Sequence, residues 1–406
     1  MAKLSRRRLS AKARQVEKRI EQLRSKPVAT YSGKEDLKAP VDSDMVVQRH
    51  GRRYKLILML DGQPVSSANI GICEPNFGGV FLRVATVGGV GTPMDHRFKG
   101  YSRRVMINSL RWMRQSGFDM TLLFGIRAFY PKYGYAPVIP YVRFSLDAEA
   151  AGRFSPAGLR TIPFTMKHLS ACLRLYRRTN ARRTGTIRRD VRTWRPFRRG
   201  LRWGGKVVCK VIVDGRDRPV GYFAYTDHPE RWQIIEAGFS GPKVFPALLA
   251  AAGRLARRRG DDRVKFALSE DSELMAFCKP LGIEKTVHYR PDGGGMARMV
   301  NIRSSLTKLG TVLAGRMSRP GRITIRTNME DVSLAWSSGK MRVGDPRPNW
   351  PNVWMPQWAL AQMLYGWQDA RVFASQRVIK APAKTIETLT EMMPSGPHHF
   401  YWTDVF

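Results

Sequence analysis

The sequence predicts a mixed α/β (α+β) architecture in which one fold is used twice and a third unit follows. Three observations carry this. β-rich hairpin runs alternate with long helical runs along most of the chain. The order hairpin, helix, short apolar strand, aromatic turn occurs near residues 54–135 and again near 206–283. Beyond residue 303 the pattern changes to short alternating strands and one apolar helix. These patterns divide the chain into a basic lead-in over 1–45, a first mixed-sheet domain over 46–150, a second over 151–302 and a last domain over 303–406.

Each element has a local reason. In the lead-in, Ala11 to Ser25 has helical spacing, with Val16, Ile20 and Leu23 on one stripe, and Pro27 stops it. Tyr54 to Leu60 and Val65 to Ile72 flank Asp61-Gly62. Lys206 to Val213 and Val220 to Tyr225 flank Asp214-Gly215. Both read as hairpins closed by a D-G turn. A helix over Ser102 to Ser116 ends at Gly117, and one over Lys243 to Arg259 ends at Gly260. Glycine just past a cationic last turn is a helix stop. The apolar strands Met120 to Phe124 and Val264 to Leu268 come next. In the last unit, Arg322 to Thr327, Val332 to Trp336 and Met341 to Val343 read as strands. The proline-rich stretch Asp345 to Pro356 reads as loop. Pro356 to Gly366 reads as a helix with Leu360, Met363 and Leu364 inward.

At 406 residues the chain is long enough for several cores. Its 70 Lys and Arg against 32 Asp and Glu give a formal net charge of +38. Such a balance favours polyanions, so nucleic-acid or ribosome contact is an expected alternative function. The Arg-rich stretch from Arg177 to Arg202, with Trp194, Phe197 and Trp203 interleaved, is where that would fall. The four cysteines have no C-x-x-C spacing, so neither a metal site nor a disulfide framework is expected, and a reducing cytoplasm is. No apolar run reaches membrane-spanning length. The basic start Met1 to Arg8 has no apolar stretch behind it and does not read as a secretory signal.

The densest chemistry lies at Gly88-Gly89-Val90-Gly91-Thr92, followed by Arg97-Phe98-Lys99-Gly100-Tyr101-Ser102. A strand opens there through a loop into a helix. First-turn N–H groups lack internal partners, and the helix dipole adds positive potential, so the junction is an anion cradle suited to a pyrophosphate. Some thirty residues later comes Phe129-Tyr130-Pro131-Lys132-Tyr133-Gly134-Tyr135. Together these segments resemble the Gcn5-related N-acetyltransferase superfamily, with its R/Q-x-x-G-x-G/A loop and later F-Y-x-x-x-G-[FY] segment. Arg97 and Gly100 match, and Ser102 replaces the last small residue of the motif. The resemblance implies acetyl-CoA as co-substrate. It places the cofactor on Arg97, Phe98, Lys99, Gly100, Tyr101 and Ser102, with Arg103 and Arg104 beside them. Backbone N–H groups at Val90, Gly91 and Thr92 would meet the oxyanion, and Tyr130 would protonate the departing thiolate. Tyr135, five residues on, is the back-up candidate for that role and otherwise reads as core packing.

The repeat is chemically asymmetric. In its second copy the loop becomes Gly238-Phe239-Ser240-Gly241-Pro242-Lys243, and Cys278 stands where Tyr130 stands in the first. A thiol in an apolar setting is an inert packing group, so the second copy reads as scaffold. The last unit resembles the sterol-carrier-protein fold. Over residues 45–406 the chain is similar to the family of the mycobacterial enhanced intracellular survival protein. That likeness rests on Arg182-Arg183-Thr184-Gly185-Thr186-Ile187-Arg188-Arg189, on Leu360-Ala361-Gln362-Met363-Leu364-Tyr365-Gly366, and on the end from Met393-Pro394 through Tyr401-Trp402-Thr403-Asp404-Val405-Phe406. It implies a homo-oligomer acetylating a primary amine on a small molecule or a lysine. It also implies a chain end inside the cleft, where the terminal carboxylate of Phe406 acts as general base.

Overall fold

Two seven-stranded mixed sheets and one four-stranded sheet organise the chain in a computed structural model that describes residues 18, 35–192, 194, 206–228 and 231–405. The lead-in helix expected over 11–25 lies outside the described residues apart from Lys18. Phe197, Trp203 and the terminal Phe406 also lie outside them.

The first sheet begins as an antiparallel run of β1 (Met45–His50), β2 (Arg53–Leu60) and β3 (Gln63–Cys73). Asp61 and Gly62 both take positive φ at the β2–β3 turn, the backbone a tight two-residue hairpin needs. A small hairpin, β4 (Asn76–Phe77) with β5 (Val80–Phe81), precedes β6 (Val84–Gly91), which pairs with β3. Helix α1 (Tyr101–Gln115) returns the chain to β7 (Met120–Gly125), parallel to β6. β8 (Ala136–Ile139) closes the run.

The chain then changes sheets at Pro140. β9 (Tyr141–Asp147) enters the second sheet, and α2 (Ala148–Gly152) follows. Next come β10 (Arg160–Pro163), α3 (Leu169–Thr179), β11 (Lys206–Val213), β12 (Pro219–Asp227) and β13 (Gln233–Phe239). After them lie α4 (Phe245–Arg258), β14 (Arg263–Phe266), α5 (Glu273–Phe277) and β15 (Glu284–His288). β9 lies between β14 and β15. In return, β16 (Gly294–Met299) crosses back and sits between β7 and β8 of the first sheet. The two sheets thus exchange one strand each. A linear division at residues 150 and 302 does not separate them, because 141–147 belong to the second sheet and 294–299 to the first. Composition explains why both strands are interior. All six residues of β16 are buried, and β9 buries Val142, Phe144 and Leu146 in alternation. The second copy of the hairpin turn also differs from the first. Asp214 Oδ1 accepts from the N–H groups of Arg216 and Arg218, a longer turn built on the carboxylate and not on Gly215.

The last unit comprises α6 (Ile302–Ala314), β17 (Gly321–Arg326), β18 (Val332–Ser337), β19 (Lys340–Gly344), β20 (Asn352–Trp354), α7 (Gln357–Leu364), α8 (Ala370–Ser375) and α9 (Ala383–Met392). The stretch expected as loop before α7 contains β20, which pairs in parallel with β17. This unit is the back wall of the first sheet. On one face, Val105, Met106, Leu110 and Met113 of α1 pack with Leu56, Ala68, Ile70, Val87 and Leu123. On the other, Val84, Met120, Leu122, Val138, Ala297 and Met299 pack with Leu306, Leu309, Ile323, Leu334, Leu360 and Met363. Fully burying each of the Val, Leu, Ile and Met side chains among these is worth ~1.5–3 kcal/mol. Buried Asp119 knots the layers together: it accepts from Arg83 N at 2.7 Å, Ser304 Oγ at 2.6 Å and Lys308 Nζ at 2.7 Å. Among the described residues no helix is long and apolar enough to cross a membrane.

Candidate active site

The first sheet is open where β6 and β7 part. Their parallel register runs from Val84↔Met120 to Val87↔Leu123 and ends there. β6 continues to Gly91 against β3 alone, with an irregularity opposite Ala68. Gly89 holds φ +56°, and a Cβ there would stand 2.5 Å from Asn69 Nδ2, so the bulge requires glycine. On its other side β7 pairs with β16 as far as Gly125↔Gly294. Gly88 to Gly91 therefore present a backbone edge without a neighbouring strand on the β7 side. Val90, Gly91 and Thr92 lie on or just past this edge. Ser66 Oγ fixes the tip, donating to the Gly91 carbonyl at 3.1 Å and sharing a hydrogen bond with Thr92 Oγ1 at 2.8 Å.

The loop after this edge leads directly into α1. Arg97 Nε donates to the Thr92 carbonyl at 3.1 Å, folding the loop onto itself. Phe98 takes φ +64°, an uncommon conformation for a side-chain-bearing residue, and Gly100 caps α1 at φ +83°. The first turn of α1 carries no acidic residue. The N–H groups of Arg103 and Arg104 donate to the Gly100 carbonyl, while those of Tyr101 and Ser102 have no backbone acceptor among the described residues. Arg97, Lys99 and Arg103 are exposed. Such a turn receives an anion well. Arg104 is committed elsewhere: it binds Asp42 through Nε at 2.5 Å and Asp44 through Nη2 at 2.6 Å. Its guanidinium holds Asp42 below the usual carboxylate range. The lead-in's end thus clamps α1 and removes Arg104 from the set of free cations.

Tyr130 stands at the end of β7. It precedes a single 3₁₀ turn over Pro131–Tyr133. Its ring lies directly against Gly125: a Cβ on that glycine would be 2.4 Å from Tyr130 Cδ2. Edge contacts to Phe129 at 4.9 Å and Tyr135 at 6.0 Å fix the ring plane. Burial pushes the phenol above its ordinary value, so it stays protonated. Tyr135 is a core residue whose hydroxyl meets Thr121 Oγ1 at 3.1 Å. The last unit braces this segment, because Gln357 Nε2 donates to the Gly134 carbonyl at 2.7 Å and Gln362 Nε2 to that of Pro137 at 2.6 Å. The exchanged strand braces it too. Arg298, fully buried on β16, donates to the Tyr133 carbonyl and lies 3.7 Å from Glu35. Sequence reading missed Asn69, Asp42, Arg298 and Gln357, since each acts across strands or modules with no local motif, and it gave Gln362 no role beyond its family segment.

The carboxy-terminal tail reaches the same region from the opposite face of the sheet. Phe124 and Gly125 are neighbours on a strand and present opposite faces. The Phe124 ring meets Phe400 at 5.3 Å. Phe124, Ile139, Tyr141, His398, Trp402 and Val405 line a small cavity there. The tail is held by Arg189, whose guanidinium binds Glu236 Oε1 at 2.6 Å and both Asp404 oxygens at 2.9 Å. Burial opposes ionisation of Glu236, but Arg189, Thr403 and Tyr222 outweigh it and hold the carboxyl low. Phe406 itself lies outside the described residues, one position beyond Val405. In the second module, the position matching Tyr130 is Cys278, a buried thiol that desolvation pushes up to about 12.

Residues 34–138 match the family model for an acetyltransferase (GNAT) domain, which covers about a quarter of the chain. No curated protein matches. Among solved structures, the chain resembles a probable N-acyltransferase from Enterococcus faecalis V583, with TM-score 0.71 and 14% identity over 86% of this chain and 89% of that one. It also resembles a GCN5-related N-acetyltransferase from Anabaena variabilis, with TM-score 0.68 and 16% identity over 84% and 87%. Eis1 from Mycobacterium abscessus aligns with TM-score 0.62 and 17% identity over 86% and 89%. At these identities the likeness shows a shared fold across most of each chain. Residues 34–138, which supply most of the first sheet, match an acetyltransferase domain of the GNAT type, and the mixed-sheet architecture around them is the fold shared with those structures.

Proposed function

We propose that this chain transfers the acetyl group of acetyl-CoA to a primary amine, on a small molecule or a lysine, at the open end of the first sheet. The observation that carries the reading is the parting of β6 from β7 beyond Val87 and Leu123, with the glycine-capped start of α1 at one side and the Tyr130 phenol at the other. The pyrophosphate would rest on the N–H groups of Tyr101 and Ser102, with Arg97, Phe98, Lys99 and Gly100 around it. The thioester would lie along Val90, Gly91 and Thr92, whose N–H groups would meet the oxyanion. The amine nitrogen attacks the carbonyl carbon, the C–S bond breaks, and the thiolate takes the Tyr130 proton. An alkylammonium has a pKa near ~10 and must lose a proton before it attacks. The terminal carboxylate of Phe406 is the base we assign, because the described tail ends at the cavity on the far face of Phe124.

In this reading the second sheet is scaffold and the last unit, a sterol-carrier-type module, is a wall. We read the chain as an Eis-like acetyltransferase and carry homo-oligomeric assembly over from that family likeness alone. Calorimetric titration with acetyl-CoA at moderate salt tests the first part, and absence of binding would remove it. Extending the chain by a few residues past Phe406 tests the base: turnover should collapse with acetyl-CoA affinity kept, and unchanged turnover would free Phe406 of its role.

A further inference from the structure

The acetyl-transfer reading leaves most of the chain's positive charge without a task. One stretch is especially rich in it: residues 167–206 carry 14 arginines and lysines against one acid, Asp190. Part of that cluster is structural. Arg183 binds Asp271, Arg188 approaches Glu74, and Arg189 is buried between Glu236 and Asp404. Three others lie on a single helix face. α3 turns Leu169, Cys172, Leu173, Leu175 and Tyr176 inward, and leaves Arg174, Arg177 and Arg178 exposed. Arg174 and Arg178 sit one turn apart, about 6 Å along the axis. Arg182 continues the row just past the helix end, and Arg178, Arg182 and Arg183 line a groove against Phe239, Gly241 and Pro242. Two carboxylates border this groove. Asp271 is occupied by Arg183, and Glu273 is the other. Arg174, Arg178 and Arg182 have no carboxylate within ion-pair distance among the described residues.

We infer that this face of α3 and its groove bind the phosphate backbone of a nucleic acid without reading its sequence. A row of guanidinium groups spaced by helical turns can follow successive phosphates, and each contact releases a counterion. The groove stands at the end of β13 where the first module has its anion loop. The second copy of the fold has thus kept a cationic mouth while losing the loop's R-x-x-G spacing. Arginine can also read guanine edges, but the exposed positions of α3 are Ser170 and arginines, with no amide or aromatic side chain among them, and an evenly spaced guanidinium row suits the regular repeat of phosphates.

The test is fluorescence anisotropy of the full chain with a labelled oligouridine across a salt series. A triple charge reversal, Arg174→Glu, Arg178→Glu and Arg182→Glu, is compared with the same change at Arg371, Lys380 and Lys384 on the last unit. The α3 variant should lose about tenfold or more in affinity. Its slope of log affinity against log salt should fall by about 2, three lost contacts at ~0.7 each. The last-unit variant should keep the slope. Equal losses in both variants would reduce the effect to net charge and overturn the inference. No binding by the parent chain at low salt, or preferential binding to phosphatidylserine vesicles, would also overturn it. Circular dichroism melting of both variants excludes misfolding as the cause. Oligonucleotide binding involves no acetyl transfer, so its failure leaves the acetyltransferase reading standing.

Discussion

Gly125 positions Tyr130 by having no side chain. A methyl group there would stand 2.4 Å from Tyr130 Cδ2 and 2.6 Å from Leu123 Cδ1, so Gly125→Ala must displace the phenol ring or the strand end. The anion loop begins on the neighbouring strand and does not touch Gly125. Gly125→Ala should therefore lower kcat by about 10- to 100-fold, the cost of misplacing a reacting group by roughly an ångström. Acetyl-CoA affinity, read by calorimetry, should change little. Tyr130→Phe removes the proton without moving the ring and should cost about 10²- to 10⁴-fold in kcat. A Gly125→Ala enzyme with full turnover would show that the ring's position is immaterial, and a fully active Tyr130→Phe enzyme would leave the phenol with packing alone. Tyr130 stood out in the sequence for a local reason, the contiguous aromatic turn, whereas Gly125 lies outside that turn and gave no signal. Arg104 shows the opposite case. It looked equivalent to its neighbours along the chain, and only the fold brings Asp42 and Asp44 against it.

At the level of elements, what the sequence revealed was whatever a short window encodes. α1 was legible from its glycine stop, and it spans Tyr101–Gln115 against an expected 102–116. The β2–β3 turn was legible from Asp61-Gly62. The exchange of β9 and β16 was not, because a strand's own composition says that it is buried and not which neighbours bury it. The exchange has a physical consequence. Without β16, β7 and β8 are not joined: Met120 to Gly125 would lose the strand that pairs with all six residues. It would also lose Arg298, which holds the Tyr133 carbonyl in the core. A fragment ending at residue 150 should therefore fail to fold, with little cooperative unfolding by circular dichroism. Co-expression with residues 151–406 should restore a folded complex. A fragment 35–150 that melts cooperatively alone would show the exchanged strand to be dispensable. Within the whole chain, Arg298→Ala should cost about 3 kcal/mol in urea unfolding, since it strands the shielded Oε2 of half-buried Glu35 and two carbonyls.

Across the whole molecule, the tail is the seam between modules, and it carries two buried histidines. His398 and His399 are almost fully buried, and the Nε2 atom of each has no hydrogen-bond partner among the described residues. Burial lowers His398 to about 4 and, with Arg183 and His398 nearby, His399 to about 3. An unfolded histidine titrates near ~6.5. Below that pH the unfolded chain holds two protons that the folded chain lacks, so stability rises with pH and is lost on acidification. The slope is up to about 1.4 kcal/mol per pH unit for each histidine, acting from roughly pH 6 down toward the folded values. Asp404 works in the other direction. Burial raises its carboxyl despite Arg189, so it takes up a proton in the folded state first and partly offsets the loss. Comparing the parent with a His398→Gln, His399→Gln double variant cancels Asp404, which both chains share. Urea unfolding at pH 7, 6 and 5 should show parent stability falling more steeply than that of the variant over this interval. The tail supplies both the cavity wall at Phe400 and Val405 and the approach to Phe406, so acetyl transfer should fall over the same range before global unfolding does. Parallel stability curves for parent and variant would mean that the imidazoles are solvated and the tail is not the acid-sensitive seam.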